Sequence, residues 1–584
     1  MINQIHYFNK SFNAKSTSKL SLCDSFIPNS HFDRLISTNH TVMVGPRGSG
    51  KTTLLRMCEA EALNIWKSEQ SSNYRSKIEF SGVFIPTDRF WKAQFDRLSK
   101  IYSEDSTVLK LLESAFIYHV LECFSCTLVC RTSKNHGNSG YKKVLLDKKA
   151  ESELVQYLAE LWCVEVKVPS LRGLTISLTM KKLEISSYIS SLNGPVNAEA
   201  APRFIKSDLI PLMEASINIV NQYFGELNEK WALLFDELEL APDSFLQPLL
   251  DNMRGGPQNI ILKLALSPYH KDVSITKDSF SSMHKQDLSF INLSGVREDG
   301  IEFARTLSEY IFRQENLCKP VEEYFEGFDT DRDKDFKELA EVDPSFREYL
   351  QSHNILDKKY SELDKTHKDV VRRIQFNVHL RNYYIKPRKR PSNYYSGFLN
   401  ICNTLDYNPR MLIGVMSIFA SIAKADGIVK NHKQIECINE YYQSFKALLN
   451  TIAVDADESE VRSIYDVIQE IAKYFRQQIH GDRFSPNPKG SIIFTNNRNE
   501  NYMDAIGLAL NAGALVIEKN EIDSFQDLNN LRGSRCRLSY IFSPEYSLLM
   551  NLQPAVDLVA ILNHRRLKVF NIFDSKIDQM ELNI

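Results

Sequence analysis

The spacing of apolar positions divides the chain in two. Short apolar runs alternate with amphipathic stretches up to about residue 299, and beyond it the pattern is mainly helical. Residues 41–44 read as a short buried strand and 53–57 as a helix. Further strands are expected at 78–86, 231–235, 259–266 and 288–293, so a parallel sheet is the expected core. Between the second and third of these runs, about 103–201 reads as an insertion. It has helical runs near 108–128 and 149–161, a polar loop at 133–141, and enough β-branched residues over 171–183 to predict a short strand pair. An amphipathic helix over 204–224, with Leu209, Leu212, Ile219 and Tyr223 on one face, would return the chain to the sheet.

From residue 300 the pattern is helical, and 321–364 is highly charged, with many acidic residues, as a solvated surface would be. An apolar helix follows at 411–423, then helices at 436–449 and 458–478 and a strand at 490–495. Gly513 ends a helix over 502–512, and 536–542 is expected to pair back on a strand at 514–518. Helices followed by a two-stranded hairpin are the outline of a winged helix. Residues 1–30 read as a polar arm, with Phe26, Ile27 and Pro28 docking on the sheet domain.

Chemistry enters at the loop after the first strand. Gly45, Pro46, Arg47, Gly48, Ser49, Gly50, Lys51 and Thr52 fit the phosphate-loop pattern GxxxxGK[ST], in the strand–turn–helix context that such a loop needs. Glycines let the backbone bend around an anion, so that main-chain N–H groups converge on phosphate. Lys51 would reach the β- and γ-phosphates, Thr52 would hold Mg²⁺, and Thr53 would complete the nucleotide-binding loop. ATP and Mg²⁺ are therefore the expected ligands. The third strand ends in Asp236 and Glu237, where a buried strand fixes one carboxylate beside the metal and lets its neighbour face the γ-phosphate. Asp236 is the expected Mg²⁺ ligand and Glu237 the group that polarises the attacking water, with Glu239 a competitor for that role. The sequence therefore gives an α/β chain: a P-loop NTPase parallel sheet at 31–299 carrying the helical insertion, a helical lid at 300–429, and a winged-helix-like α+β domain at 430–584.

Composition constrains partners more than fold. The 584 residues allow about three to four domains at roughly 150 each, and 71 basic against 73 acidic residues give no global pull toward nucleic acid or an anionic membrane. A local patch would be needed. One lies between residues 372 and 390, where Arg372, Arg373, Arg381, Lys386, Arg388, Lys389 and Arg390 occur with no acidic residue, among Phe376, Tyr383 and Tyr384. Arg381, Lys386, Arg388, Lys389 and Arg390 are its candidate phosphate-backbone contacts; the other reading of such a run is a solvated face. The expected recognition helix carries no basic residue, which suits protein better than a major groove, while Arg532, Arg535, Arg537, Arg565 and Arg566 leave backbone contact open. Ten scattered cysteines read as reduced thiols, and Cys123, Cys126 and Cys130 share a helix face, as core packing would place them, the other reading being a metal or redox site. The amino terminus lacks a signal-peptide core and 411–423, taken as the longest apolar run, is too short to span a bilayer, so a cytoplasmic location is expected.

The phosphate loop, the strand ending in Asp236 and Glu237, a polar strand end at Ser267, the run Asn408, Pro409, Arg410 and the winged-helix-like tail together resemble the AAA+ ATPases of the origin-recognition and replication-initiator type. The resemblance implies that Ser267 senses the γ-phosphate, where the other reading is a loop serine before proline. It also implies that Arg410 swings onto the γ-phosphate as the lid closes, where the other reading is a helix-start arginine paired with a carboxylate. It does not cover the insertion. Residues 269–287 contain no arginine to serve as the finger such assemblies use, and slow turnover is expected unless Arg254, the nearest substitute, a lysine or a partner supplies the charge. The layout also looks like the ATPase subunits of multi-gene antiviral defence systems. The implied partners are further copies of the chain, a separate effector protein, or nucleic acid through 372–390, and the implied functions are a switch ATPase, a DNA-binding initiator or remodeller, or a nucleotide-binding scaffold.

Overall fold

The computed structural model describes residues 17–87, 89–102, 107–134, 139–191, 202–241, 243–253, 255–270, 288–293, 300–385, 392–454, 463–494, 500–518, 531 and 533–561. Arg254, Lys386, Arg388, Lys389, Arg390, Arg532, Arg565 and Arg566 lie outside the described residues, as does the side chain of Glu239.

Five strands form the first sheet: β1 (His40–Val44), β2 (Phe80–Pro86), β3 (Lys230–Asp236), β4 (Ile260–Leu266) and β5 (Leu288–Asn292). They are parallel throughout, in the order β2-β3-β4-β1-β5. Both faces are covered, which is why the inner strands are apolar at nearly every position rather than at alternate ones. One face packs on the amino-terminal helices through Leu22, Phe26, Phe32, Leu55 and Trp66. The other packs on the helices inserted between β2 and β3, through Phe116, Leu128, Leu178, Ile217 and their neighbours. Within the expected arm, Lys19–Ser25 form a helix and Phe26 packs into this core.

The insertion corrects two expectations. Residues 171–183 belong to one helix, Leu171–Ser191, and not to a strand pair. Its buried positions, Leu171, Leu174, Leu178, Ile185 and Ile189, follow helical spacing, and Thr175 and Thr179 return their hydroxyls to the carbonyls four residues back at 2.9 and 3.2 Å. Tertiary burial outweighs the β-branched preference here. The helix Thr107–Thr132 is longer than the expected 108–128 and is long and apolar enough to cross a membrane, but 61% of that span is buried inside the protein. It is a core helix across which the insertion and the sheet meet.

A second core joins the helices Gly300–Gln314, Pro409–Asp426, Asn431–Asn450 and Ile464–His480 to a small sheet. That sheet contains β6 (Ser491–Ile493), β7 (Leu515–Glu518), β8 (Arg535–Leu538) and β9 (Ala555–Asp557), in the order β7-β8-β6-β9. The β7–β8 hairpin of a winged helix is present, and β9, which the sequence pattern does not announce, adds parallel to β6.

Two arginines held open for nucleic acid turn inward. Arg381 is 4% exposed, with Nε 2.6 Å from Asp343 and Nη1 donating to the carbonyls of Ile479 and Gly481. Arg537 is buried between Asp406 and Glu518, at 2.7 and 2.5 Å. Arg381 is one half of a buried ion pair and Arg537 the centre of a three-charge cluster, so the charge of each is spent on the fold. His379 bridges Asp335 at 2.7 Å and Ser392 at 2.8 Å in a serine–histidine–aspartate chain. Ser392 is 4% exposed and accepts the Tyr394 N–H, so this chain ties two segments rather than presenting a nucleophile.

Candidate nucleotide site

The loop leaving β1 turns on two glycines in the left-handed region, Gly48 at φ +85° and Gly50 at φ +96°, where a side chain would strain the backbone. Gly45 fits for another reason: a Cβ there would lie 2.5 Å from Ser49 Oγ. Gly50 then leads into the helix Lys51–Arg56. Lys51 is 8% exposed, and its ammonium donates to the carbonyls of Gly45 and Pro46 within its own loop. Thr52 Oγ1 donates to Asp236 Oδ2 at 2.8 Å, bringing the helix start onto the end of β3.

Asp236 is fully buried. Glu237, the next residue, sits at φ 51°, ψ 43°, a left-handed conformation that is unusual for glutamate and carries backbone strain. The turn takes Glu237 off the strand and into the cavity wall, so two adjacent carboxylates face different surroundings. Because β4 lies between β1 and β3, Ser267 just beyond it stands between the phosphate loop and Asp236 in sheet order.

The phosphate loop, Glu237 and Ser267 border a cavity of about 1210 Å³. Residues 46–54, Glu237, Ser267 and Arg410 form its polar end, and Phe26, Ile27, Tyr310, Ile311 and Ile413 lie along its apolar walls. Arg410 arrives on the helix Pro409–Asp426, capped by Asn408, whose Oδ1 accepts the N–H groups of Arg410 and Met411. Asn408 Nδ2 also donates to Arg47 O at 3.2 Å, and the Arg410 N–H to Gly48 O at 3.4 Å, so the helical layer touches the phosphate loop directly. Burial, and after it the neighbouring charge of Arg47, push the Arg410 guanidinium below its ordinary range, against the pull of Tyr441 and Glu237. Lys51, Arg47 and Arg410 thus gather positive charge at one end of a largely apolar cavity, which an anion would relieve.

Sequence reasoning misses the far walls. Tyr310, Ile413 and Ser417 come from helices whose apolar faces look like any core face, and no local signal marks them. It also misses that the helix expected at 502–512, and observed at Glu500–Ala512, reaches the phosphate loop, where Asn511 O accepts the Arg47 N–H at 2.9 Å.

A glycine loop with its lysine on the carboxyl edge of a parallel sheet, and a strand-end aspartate bonded to the threonine that follows, is the arrangement of the P-loop nucleoside triphosphatases. The fold is of that class. Within it, the family model ORC-CDC6-like matches residues 8–558, and the chain belongs to the ORC-CDC6-like family of AAA+ ATPases. No curated protein and no solved structure matches the chain.

Proposed function

We propose that the protein is a Mg²⁺-dependent ATP switch that hydrolyses ATP slowly, and whose ATP-bound state assembles with further copies of itself or with a separate effector protein. The observation that carries this reading is the polar end of the cavity, lined by Arg47, Lys51, Thr52 and Arg410, with Thr52 bonded to Asp236. The loop amides and Lys51 would bind the phosphates. A hydroxyl beside a buried carboxylate is a hard-oxygen donor set, suited to Mg²⁺ that keeps waters and phosphate oxygens as its other ligands. When bound there, Mg²⁺ would supply charge neutralisation between the β- and γ-phosphates. Glu237 would orient and deprotonate water, and Ser267 and Arg410 would contact the γ-phosphate.

Arg410 and Asn408 belong to the helical layer and Glu237 to the sheet, so γ-phosphate held between them would draw the two together. Closure of that kind is how ATP would set the shape offered to a partner. An effector of an antiviral defence assembly is one such partner, in keeping with the ATPase subunits the layout resembles. The DNA-reading alternative loses Arg381 and Arg537 to buried ion pairs.

Light scattering on the full chain tests the switch. With Mg²⁺ and a non-hydrolysable ATP analogue the mass should rise above that measured with ADP. Equal masses in both states, with no effector captured preferentially in the ATP state, would contradict it. A mass that rises only with duplex DNA, and falls back with salt, would move the function to nucleic acid.

A further inference from the structure

The helix that would read DNA in a winged helix is spent instead on the nucleotide site. Along Glu500–Ala512, residues 504, 507 and 511 repeat at helical spacing and all three meet Tyr269, two positions beyond Ser267. Asp504 Oδ1 accepts the Tyr269 hydroxyl at 2.6 Å. Gly507 is required by contact, because a Cβ there would fall 2.1 Å from the Tyr269 ring. Asn511 pairs with the Tyr269 backbone on both sides: Oδ1 accepts its N–H at 2.8 Å and Nδ2 donates to its carbonyl at 2.9 Å. An amide side chain carries both a donor and an acceptor in that geometry, so it completes Tyr269 as a neighbouring strand would.

The main chain of Asn511 serves the other wall. Helices leave their last carbonyls without intrahelical partners. Here the N–H groups of Gly513 and Ala514 close back on Leu510 and Ala509, and the carbonyl of Asn511 accepts the Arg47 N–H of the phosphate loop at 2.9 Å. Leu508, Asn511 and Ala512 all border the nucleotide cavity. A single residue of the carboxyl-terminal region therefore ties the segment after Ser267 to the crown of the loop that holds Lys51.

We propose that Asn511 is a positioning residue for ATP hydrolysis, setting the distance between the phosphate loop and the Ser267 strand end. This inference rests on the ATPase reading of the site. Both polar atoms of the Asn511 side chain are engaged by Tyr269 and its carbonyl by Arg47, so it acts through those two residues. Misplacing a reacting group by about 1 Å can cost about 100-fold in rate, whereas loop amides and Lys51 still supply most of the binding. A second consequence follows from the same contacts. While Asn511, Gly507 and Asp504 hold Tyr269, that face of the helix is not open to a DNA groove.

The test compares Asn511→Ala with Asp504→Ala in the full chain, by steady-state phosphate release and by binding of a fluorescent ATP analogue. Both variants weaken docking of the same helix, but only Asn511→Ala removes the two bonds to the Tyr269 main chain beside Ser267, while its own carbonyl stays available to the Arg47 N–H. The expected result is a kcat about 10- to 100-fold lower in Asn511→Ala, with nucleotide affinity within about threefold of the native chain and Asp504→Ala near native in both. Asn511→Asp, which keeps the acceptor for the Tyr269 N–H and loses the donor, should lower kcat in the same direction and serves if the alanine variant does not fold. Native kcat in Asn511→Ala and Asn511→Asp, or an equal fall in Asp504→Ala, would overturn the proposal and reduce the contact to docking. A native chain that binds no ATP would sink the ATPase reading itself, and this inference with it.

Discussion

Lys51→Ala is expected to lower the affinity for ATP by about 10- to 100-fold, the equivalent of roughly 1.5–3 kcal/mol for a charge-assisted hydrogen bond. Lys51 is 8% exposed and at present satisfied by the carbonyls of Gly45 and Pro46, so its ammonium is already desolvated and already aimed along the loop. Exchanging loop carbonyls for phosphate oxygens replaces neutral acceptors by anionic ones, which is where the affinity comes from. Alanine removes the ammonium but leaves Gly48 and Gly50 in their left-handed conformations, so the loop's amides persist and a residual affinity should remain. Titration calorimetry of both chains with ATP and Mg²⁺ measures the difference. An unchanged affinity would mean that the cavity takes its nucleotide elsewhere, or takes none.

Glu237→Gln separates binding from chemistry. The carboxylate lies one residue past the buried Asp236, on a backbone at φ 51°, and the substitution keeps both the shape and that conformation. Losing the base should cost about 10²–10⁴ in turnover, with ATP affinity close to native. The variant should then accumulate in its ATP-bound form and show the larger mass by light scattering without a non-hydrolysable analogue. Turnover within a few-fold of native would transfer the role to another carboxylate, Glu239 being the neighbour the sequence offers.

The parts of this site that were legible in the sequence are the parts made by contiguous residues. A glycine loop declares itself because each fixed position answers a local demand, and an apolar run ending in Asp236 and Glu237 does so because a buried strand must emerge somewhere. Ser267 and Arg410, far apart in sequence, line the same cavity. What could not be read is set by tertiary direction. Arg381 belongs to a basic run by sequence and to the interior by packing, because nothing local says which face of the helix Lys365–Ile385 turns toward Asp343. The helix Leu171–Ser191 was misread because its threonines and isoleucines favour strands until the helix Thr107–Thr132 is present to bury its leucines. Asn511 is the extreme case: an ordinary helix-end residue whose importance lies wholly in meeting Arg47 and Tyr269 across the fold.

Phosphate release from ATP by the full chain, followed with Mg²⁺ and again after chelation by EDTA, with Lys51→Ala measured alongside, tests the central claim most directly. Slow release that requires Mg²⁺ and disappears in Lys51→Ala is the expected result. Release that persists without the metal or without Lys51, or none from a chain that binds ATP tightly, would contradict it; in the last case the site would be a nucleotide-holding scaffold.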